Sequence, residues 1–205
     1  MTRRRAIFMD RDGTVCEEVG YVNHVDRVRL LPRSAAAIRL ANEAGFQAVI
    51  VTNQAGVARG YFDEALVHEV HDAVRHQLAE AGARVDGIYY CPHHPEVGSE
   101  TYRRVCDCRK PGPGMLLRAR EEMGIDLAAS YMIGDTVKDL GAGRAVGATT
   151  VLVLTGYGRG ELQYQGHRWT VQPDQVCEDL LDAVQWILAR EGRPLAPTGS
   201  EAERP

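Results

Sequence analysis

Five short apolar runs punctuate the chain, each bounded by polar or glycine-containing segments. They lie at residues 6–9, 48–51, 87–90, 131–133 and 149–154. Runs of three to six residues rich in β-branched and aromatic side chains are typical of strands buried inside a sheet. The pattern therefore predicts five buried strands.

Helical periodicity fills most of the chain between these runs. Apolar residues recur there at three- and four-residue spacing, in the segments 33–44, 63–80, 114–122, 137–146 and 175–190. Strands that alternate with helices favour an α/β fold with a doubly wound parallel sheet. We expect a single domain over residues 1–190, followed by a disordered tail at 191–205, where Pro, Gly, Ser and charged residues dominate.

Composition narrows the classes of partner. The 205 residues include 24 basic and 28 acidic side chains, for a formal net charge of -4. This charge gives no general attraction to nucleic acid or to an anionic membrane. No apolar stretch is long enough to span a bilayer, which favours a cytoplasmic protein. In a reducing compartment, the five cysteines are expected to be metal ligands or core residues, without disulfides.

Polar and charged residues follow the first four apolar runs directly. In a doubly wound sheet, ligands bind outside the carboxyl ends of the strands, so these residues are the first candidates for chemistry. They are Asp10, Thr52 with Asn53, Cys91, and Gly134 with Asp135. The strand ends therefore carry polar, charged and metal-binding residues.

Asp10 and Asp12 form the pattern Asp-x-Asp-Gly-Thr where the first run meets a glycine-containing turn. Phosphate monoesters hydrolyse extremely slowly without a catalyst, so a covalent intermediate helps by dividing the reaction into two steps. Asp10 is the candidate nucleophile. Asp12 is placed to protonate the leaving group and then to activate water. Taken alone, the same pattern also fits an acidic turn.

Four other positions complete the candidate site. Asp135 supplies a second carboxylate for Mg²⁺, and Asp139 either holds a metal-bound water or favours the start of a helix. Thr52 and Lys110 would bind and neutralise the phosphoryl group. Each residue alone could serve as a cap, a turn residue or a solvated charge. Their joint order along the strand ends favours catalysis.

The long connection from residue 91 to residue 113 contains two pairs of possible metal ligands. Cys91 and His93 form one pair, and Cys106 and Cys108 form the other. Three thiols and one imidazole are suited to a tetrahedral structural zinc site. His94 is an alternative to His93, although the matching one-residue gaps favour His93. Idle cysteines in a loop are the other interpretation.

These motifs resemble those of the haloacid dehalogenase superfamily. The matching segments are DRDGT at 10–14, the strand end at Thr52, Lys110, and GDTVKD at 134–139. The resemblance implies a Rossmann-like sheet and an aspartyl-phosphate mechanism. It also implies Mg²⁺ held by Asp10, the backbone carbonyl of Asp12, and Asp135.

Longer segments resemble one family of this superfamily, the heptose bisphosphate phosphatases. They are GYV at 20–22, TNQAGVARGYF at 52–62, DGIYYCPHHP at 86–95, VCDCRKPGPGML at 105–116 and SYMIGD at 130–135. The resemblance implies removal of the C7 phosphate during synthesis of nucleotide-activated heptose for surface polysaccharide. Histidinol-phosphate phosphatase is the alternative, although its zinc loop is typically shorter. A zinc-stabilised binding module without turnover is a further alternative from another class.

The same resemblance predicts the substrate contacts. We expect a flap at 18–21, in which Glu18, Gly20 and Tyr21 touch the sugar, to stand beside an open crevice without a large cap domain. The remaining expected substrate contacts are Asn53, Gln54, Arg59 and Arg109. Thr136 stands where some relatives carry a lysine, which leaves the anomer preference open. The expected partner is a small sugar bisphosphate, bound by a monomer.

Overall fold

The computed structural model describes residues 4–193, which form six parallel strands and six α-helices. The strands are β1 Ala6–Met9, β2 Gln47–Asn53, β3 Gly87–Cys91, β4 Tyr131–Gly134, β5 Thr149–Val153 and β6 Gln175–Cys177. The helices are α1 Ser34–Glu43, α2 Glu64–Glu80, α3 Gly114–Met123, α4 Val137–Arg144, α5 Gly158–Gln165 and α6 Leu180–Arg190. The doubly wound parallel sheet predicted from the sequence is confirmed.

The strands lie in the order β3-β2-β1-β4-β5-β6, with β1 and β4 as central neighbours. The chain winds outward from β1 in one direction and outward from β4 in the other. The gap between the two windings creates a crevice outside the carboxyl ends of β1 and β4. The topology therefore brings the ends of these two strands, Asp10 and Asp135, to the same place.

Side chains alternate between two cores, one on each face of the sheet. Ile7 and Met9 of β1 pack into a core with α1, α2 and α6. Ala6 and Phe8 pack on the opposite face with α3 and α4. Because both faces are covered, the strands are apolar on both sides, which explains their uninterrupted hydrophobic runs.

The predicted helix at 175–190 is wrong in its first part. Residues Gln175–Cys177 instead form β6, which pairs with β5 at the edge of the sheet. The helix begins only after Asp179, whose side chain accepts a hydrogen bond from the backbone N–H of Asp182 at 3.0 Å. The residues before this N-cap therefore pair as a strand and do not join the helix.

Two predictions concern the ends and surfaces of the chain. Glu191 and Arg193 continue beyond α6, where Glu191 accepts a hydrogen bond from the hydroxyl of Tyr131. The remainder of the predicted tail, residues 194–205, lies outside the described residues. Within residues 4–193, no helix has the length and apolar character needed to cross a membrane, and no large cap covers the crevice, as predicted.

Candidate active site

Three carboxylates meet at the carboxyl ends of the central strands. Asp10 follows β1, Asp135 follows β4, and Asp139 lies in the first turn of α4. One oxygen from each lies within 4.8 Å of the others. Asp139 also caps its helix, because its Oδ2 accepts hydrogen bonds from the backbone N–H and the hydroxyl of Thr136. Both interpretations of Asp139 left open by the sequence are thus compatible with its position.

Gly13 allows Asp135 to approach the turn that carries the nucleophile. A Cβ atom at Gly13 would lie 2.1 Å from Asp135 Oδ2, and the residue has a φ of +83°. Only glycine combines this backbone conformation with the absence of a side chain. The same oxygen of Asp135 accepts a hydrogen bond from the backbone N–H of Tyr157 at 2.8 Å. The turns after β1 and β5 together fix the orientation of Asp135.

Lys110 is the positive charge inside this cluster. Its Nζ lies 2.9 Å from Asp10 Oδ1 and 2.6 Å from Asp139 Oδ1, and it donates to the carbonyl of Val51 at 2.8 Å. Its side chain is only 2% exposed. Burial by itself lowers the pKa of Lys110, but the charges of Asp10 and Asp139 outweigh burial and raise it. Lys110 therefore remains a cation in the buried site.

Three acidic groups around one lysine leave negative charge unbalanced. Burial, supported by the charges of Asp139 and Asp12, raises the pKa of Asp10 to about 7 in spite of Lys110. Burial and the charges of Asp139 and Asp10 raise the pKa of Asp135 to about 8. Among residues 4–193, Asp135 Oδ1 finds no hydrogen-bond partner although it is buried. An unpartnered buried oxygen among repelling carboxylates fits a divalent cation such as Mg²⁺.

Asp12 lies beside this cluster and has its own set of donors. Its Oδ2 accepts hydrogen bonds from Gln54 Nε2 at 2.9 Å and from Arg11 Nη2 at 2.8 Å. The Gln54 amide also lies 2.9 Å from Thr52 Oγ1. These contacts connect the turn after β1 with the end of β2. Asp12 and Thr52 consequently hold fixed positions relative to each other.

These groups line one crevice with a volume of about 280 Å³, close to the lower limit for small-molecule sites. The crevice gathers all but one of the predicted catalytic, magnesium and substrate residues: Asp10, Asp12, Glu18, Gly20, Tyr21, Thr52, Asn53, Gln54, Arg109, Lys110 and Asp135. Arg59 is the exception. It is exposed, and its Nη2 lies 3.3 Å from His94 Nε2.

Asn53 holds the backbone of the lysine segment. Its Nδ2 donates to the Lys110 carbonyl at 3.1 Å, and its Oδ1 accepts from the Lys110 backbone N–H at 3.0 Å. Such reciprocal bonds fix the position of one backbone unit. Asn53 therefore positions Lys110 in addition to lining the crevice.

Sequence reasoning missed two polar residues of the crevice, Lys138 and Tyr157. Tyr157 comes three residues after Leu154, at the carboxyl end of the fifth strand. The rule that was applied to the first four strand ends would have pointed to this segment if extended to the fifth. Lys138 lies inside the GDTVKD motif, two residues after Thr136.

The predicted flap is held by an arginine outside it. Arg27 Nη1 donates to the carbonyl of Tyr21 at 2.9 Å, and Nη2 donates to the carbonyl of Val19 at 3.2 Å. The Tyr21 ring packs edge-on against Tyr61 with centroids 4.8 Å apart. These contacts hold the flap at the mouth of the crevice.

A second cluster of possible metal ligands stands at the end of β3. Its ligand atoms are the sulfurs of Cys91, Cys106 and Cys108 and the Nδ1 of His93, as predicted from the sequence spacing. The six distances among these atoms range from 3.2 to 3.6 Å. A tetrahedron of this size has its centre about 2.1 Å from each corner, close to the zinc–ligand distances of roughly 2.0–2.3 Å.

His94 points to different partners. Its Nδ1 accepts hydrogen bonds from the backbone N–H groups of Glu96 and Val97, and its Nε2 faces Arg59. The structure thus brings His93, and not His94, to the three cysteines. Arg109 extends the link between the two sites, because it lines the crevice and its Nη1 donates to the His93 carbonyl at 3.2 Å.

Comparisons with known proteins converge on one group of phosphatases. A family model described as HAD-hydrolase-like matches residues 107–183. The chain is 49% identical over 152 residues to D-glycero-beta-D-manno-heptose-1,7-bisphosphate 7-phosphatase of Escherichia coli strain K12, which covers 74% of this chain and 80% of that protein. The protein of the same name from Pasteurella multocida is 46% identical over 75% of this chain and 83% of its own length.

Solved structures give the same result. The crystal structure of D,D-heptose 1,7-bisphosphate phosphatase from B. bronchiseptica, complexed with magnesium and phosphate, matches with a TM-score of 0.80 and 36% identity, over 91% of this chain and 99% of that one. The phosphatase of the same name from Burkholderia thailandensis matches with a TM-score of 0.67 and 29% identity, again over 91% and 99% of the two chains.

Proposed function

The chain belongs to the heptose 1,7-bisphosphate phosphatases, a family of haloacid dehalogenase-like hydrolases, and from this premise we propose that it removes the C7 phosphate of D-glycero-D-manno-heptose 1,7-bisphosphate. The product is heptose 1-phosphate. The observation that carries the proposal is the contact of Asp10 with Lys110 beside Asp135, at the junction of β1 and β4. This arrangement supplies a nucleophile, a fixed cation and a carboxylate for Mg²⁺.

Asp10 is the proposed nucleophile, and its two oxygens are not equivalent. Oδ1 lies 2.9 Å from Lys110 Nζ and accepts a hydrogen bond from the Arg11 backbone N–H at 2.7 Å. These two contacts orient the carboxylate. Oδ2 receives no hydrogen bond from the described residues, so we assign it the attack on phosphorus.

Asp12 is the proposed acid and base. As an acid it gives a proton to the oxygen at C7 when the phosphoryl group moves to Asp10, and as a base it takes a proton from the water that hydrolyses the aspartyl-phosphate. Lys110 and the hydroxyl of Thr52 neutralise and bind the phosphoryl oxygens. Mg²⁺, held by Asp10, the backbone carbonyl of Asp12 and Asp135, would shield the negative charges of the carboxylates and the phosphate.

A second cationic region supports a substrate with two phosphates. Arg109 and Lys138 line the crevice, and neither forms an ion pair with a carboxylate within residues 4–193. Burial, followed by the charges of Arg109 and Arg59, lowers the pKa of the neighbouring His94, and Lys138 adds to the effect. We assign Arg109 and Lys138 to the phosphate at C1, with Arg59 contributing from outside the crevice. Lys138 would supply the positive charge that some relatives carry at the position of Thr136.

The flap and the amide side chains are assigned to the sugar between the two phosphates. Glu18, Gly20 and Tyr21 line one wall of the crevice, and Gln54 lines another. Carboxylates and amides recognise sugar hydroxyls by hydrogen bonds, and tyrosine packs against their apolar faces. The curated relatives are named for the β anomer, which makes the β anomer the proposed substrate here.

The thiol–imidazole cluster is assigned to a structural zinc ion. Three sulfurs and one imidazole nitrogen fill all four tetrahedral positions, so no ligand position remains for substrate or water. The ion would hold the loop that leads directly to Arg109 and Lys110. The proposal also keeps the predictions of a cytoplasmic monomer that serves the synthesis of nucleotide-activated heptose.

The test is phosphate release, with Mg²⁺, from the β and α anomers of heptose 1,7-bisphosphate and from histidinol phosphate. We expect the β anomer to be the best substrate, with heptose 1-phosphate as the product by phosphorus NMR. Asp10→Asn is expected to lower kcat at least about 10⁴-fold, as loss of a covalent nucleophile does. The matched control is Asp72→Asn on the exposed side of α2, which should keep full activity.

The other outcomes separate the parts of the proposal. Preference for histidinol phosphate would reject the sugar substrate and retain the chemistry. Full activity in Asp10→Asn would reject the covalent mechanism. Absence of turnover on every phosphate ester would favour the binding module.

A further inference from the structure

Arg11 is one of the most deeply buried side chains of the protein, although arginine is usually exposed. It is 1% exposed and stands between the two aspartates of the DRDGT motif. Its Nε donates to Asp12 Oδ1 at 2.9 Å, and its Nη2 donates to Asp12 Oδ2 at 2.8 Å. This two-pronged contact fixes both the position and the plane of a carboxylate, which a single hydrogen bond cannot do.

The backbone of Arg11 is equally constrained. Its carbonyl accepts hydrogen bonds from the N–H groups of Val15 at 3.0 Å and Cys16 at 2.7 Å, while its own N–H donates to Asp10 Oδ1. The side chain therefore starts from a fixed point. A rigid origin and a planar guanidinium leave Asp12 with few alternative orientations.

The charge of the guanidinium acts on a buried histidine that stays neutral. Burial first, and then the charge of Arg11, lowers the pKa of His71 to about 3. Arg11 Nη1 and His71 Nε2 are both buried, and neither has a hydrogen-bond partner within the described residues. Arginine only donates, and a neutral imidazole offers one acceptor nitrogen. His71 thus adds no competing positive or negative charge, and Asp12 is the carboxylate that holds the fork of Arg11.

We propose that Arg11 is a positioning residue for catalysis, which aligns the Asp12 carboxyl for both of its proton transfers. This inference rests on the proposed function, because it concerns the acid and base of that reaction. Asp12 must reach the leaving oxygen in the first step and water in the second. General acid–base catalysis depends on hydrogen-bond geometry in each step, so a misaligned Asp12 would slow both.

The test is a double-mutant cycle on p-nitrophenyl phosphate and on the sugar bisphosphate. Arg11→Met should lower kcat about 30- to 100-fold, within the range of general acid–base catalysis, with KM changed less than about twofold. Arg11→Lys keeps the charge but loses the fork, and should lower kcat about tenfold. Because Arg11 acts through Asp12, Arg11→Met should cause no further loss in an Asp12→Asn background.

Arg144→Met is the matched control. Arg144 also pairs with a carboxylate, Asp174 at 3.0 Å, but lies outside the crevice. It should lose some thermal stability and keep its kcat. Each variant is assayed well below its own Tm, and Arg11→Lys serves if Arg11→Met does not fold.

Two results would overturn the inference. One is an additive cycle, in which Arg11→Met lowers the residual activity of Asp12→Asn as much as it lowers the wild type. The other is unchanged kcat in a folded Arg11 variant. Because p-nitrophenyl phosphate does not depend on the sugar, failure of the heptose assignment leaves this test intact. Failure of all phosphatase activity would reject the proposed function and the inference together.

Discussion

The two metal-binding clusters differ in what holds them in place. In the carboxylate cluster, Asp10 and Asp135 end neighbouring central strands, and Asp139 is a helix cap. The pairing of β1 with β4 therefore places Asp10 and Asp135, and the first turn of α4 places Asp139. In the thiol–imidazole cluster, only Cys91 belongs to a strand, and the remaining ligands lie on the long loop.

The loop has little other reason to fold. None of the residues 94–107 is buried, and Val105 is 87% exposed. Metal binding worth on the order of 10 kcal/mol can supply the missing stability. The carboxylates differ from the loop, because the fold already holds their positions but their negative charges repel one another. A metal ion in the first cluster would complete an electrostatic balance, whereas one in the second would complete a fold.

The largest effect should come from Asp135→Asn. The substitution keeps the shape of the side chain and removes a proposed Mg²⁺ ligand, so kcat/KM should fall about 10³-fold or more, the order seen when a group that stabilises transition-state charge is lost. The fold should persist. Steady-state kinetics over a range of Mg²⁺ concentrations, with circular dichroism, would check both. Unfolding of the variant would contradict the claim that the strand ends and turns, without a metal ion, place this residue.

The same variant tests, through the pH dependence of stability, how burial and the neighbouring carboxylates raise the pKa of Asp135. The folded pKa of Asp135 is raised from 3.8 to about 8, so the folded protein binds an extra proton between these values. Metal-free wild type should therefore lose stability as pH rises from about 4 to 8, by up to about 1.4 kcal/mol per pH unit, whereas Asp135→Asn should lose less. Added Mg²⁺ should stabilise only the wild type. Identical pH profiles of urea unfolding would reject the raised pKa of Asp135.

Cys108→Ser should have the next largest effect, and it should lower stability as well as activity. Loss of one proposed zinc ligand should release the loop, lower Tm by roughly 5 °C or more, and lower kcat about 10²-fold because Lys110 follows two residues later. Zinc content by elemental analysis and Tm by calorimetry would measure it. The matched control is Cys177→Ser, a buried cysteine on β6 outside the cluster. If both variants bound equal zinc, the structural assignment would fail.

The smallest effect should come from His71, a buried residue that belongs to neither cluster. The folded pKa of His71 is lowered from 6.5 to about 3, so the unfolded chain binds the extra proton between these values. The wild type should lose about 2 kcal/mol through His71 alone between pH 7 and pH 5. His71→Gln should not show this loss, whereas His76→Gln, an exposed position on the same helix, should behave like wild type.

Within residues 4–193, the sequence predicted five of the six strands and five of the six α-helices. All five apolar runs became strands, because a strand covered on both faces must be apolar throughout. The helix α5 was missed, since Gly158–Gln165 reads GRGELQYQ and has no apolar stripe. Its first turn is instead tied to α4, where Glu161 accepts a hydrogen bond from the Val137 N–H at 3.0 Å. Contacts of this tertiary kind leave no periodic signal.

The candidate site divides in the same way. Strand ends and one-residue spacings were enough to predict the carboxylates and the four-ligand cluster. Lys138 and Tyr157 were harder to predict, because they line the crevice only through the direction in which their side chains point. Arg59 shows the converse, because it is close in sequence to Asn53 and Gln54 but lies outside the crevice beside His94. The sequence gives position along the chain, whereas the orientation of a loop side chain depends on its neighbours.

The succession Cys108, Arg109 and Lys110 has a consequence for how loop length can change. An inserted residue between Cys108 and Lys110 would displace the lysine from a cluster in which it has three partners within 3 Å. An insertion within residues 94–105 only enlarges a closed loop, and doubling such a loop costs about 0.6 kcal/mol. Insertions and deletions should thus be tolerated in the outer part of the loop and excluded from its last three residues, which gives protein engineers a region where new recognition elements can be grafted.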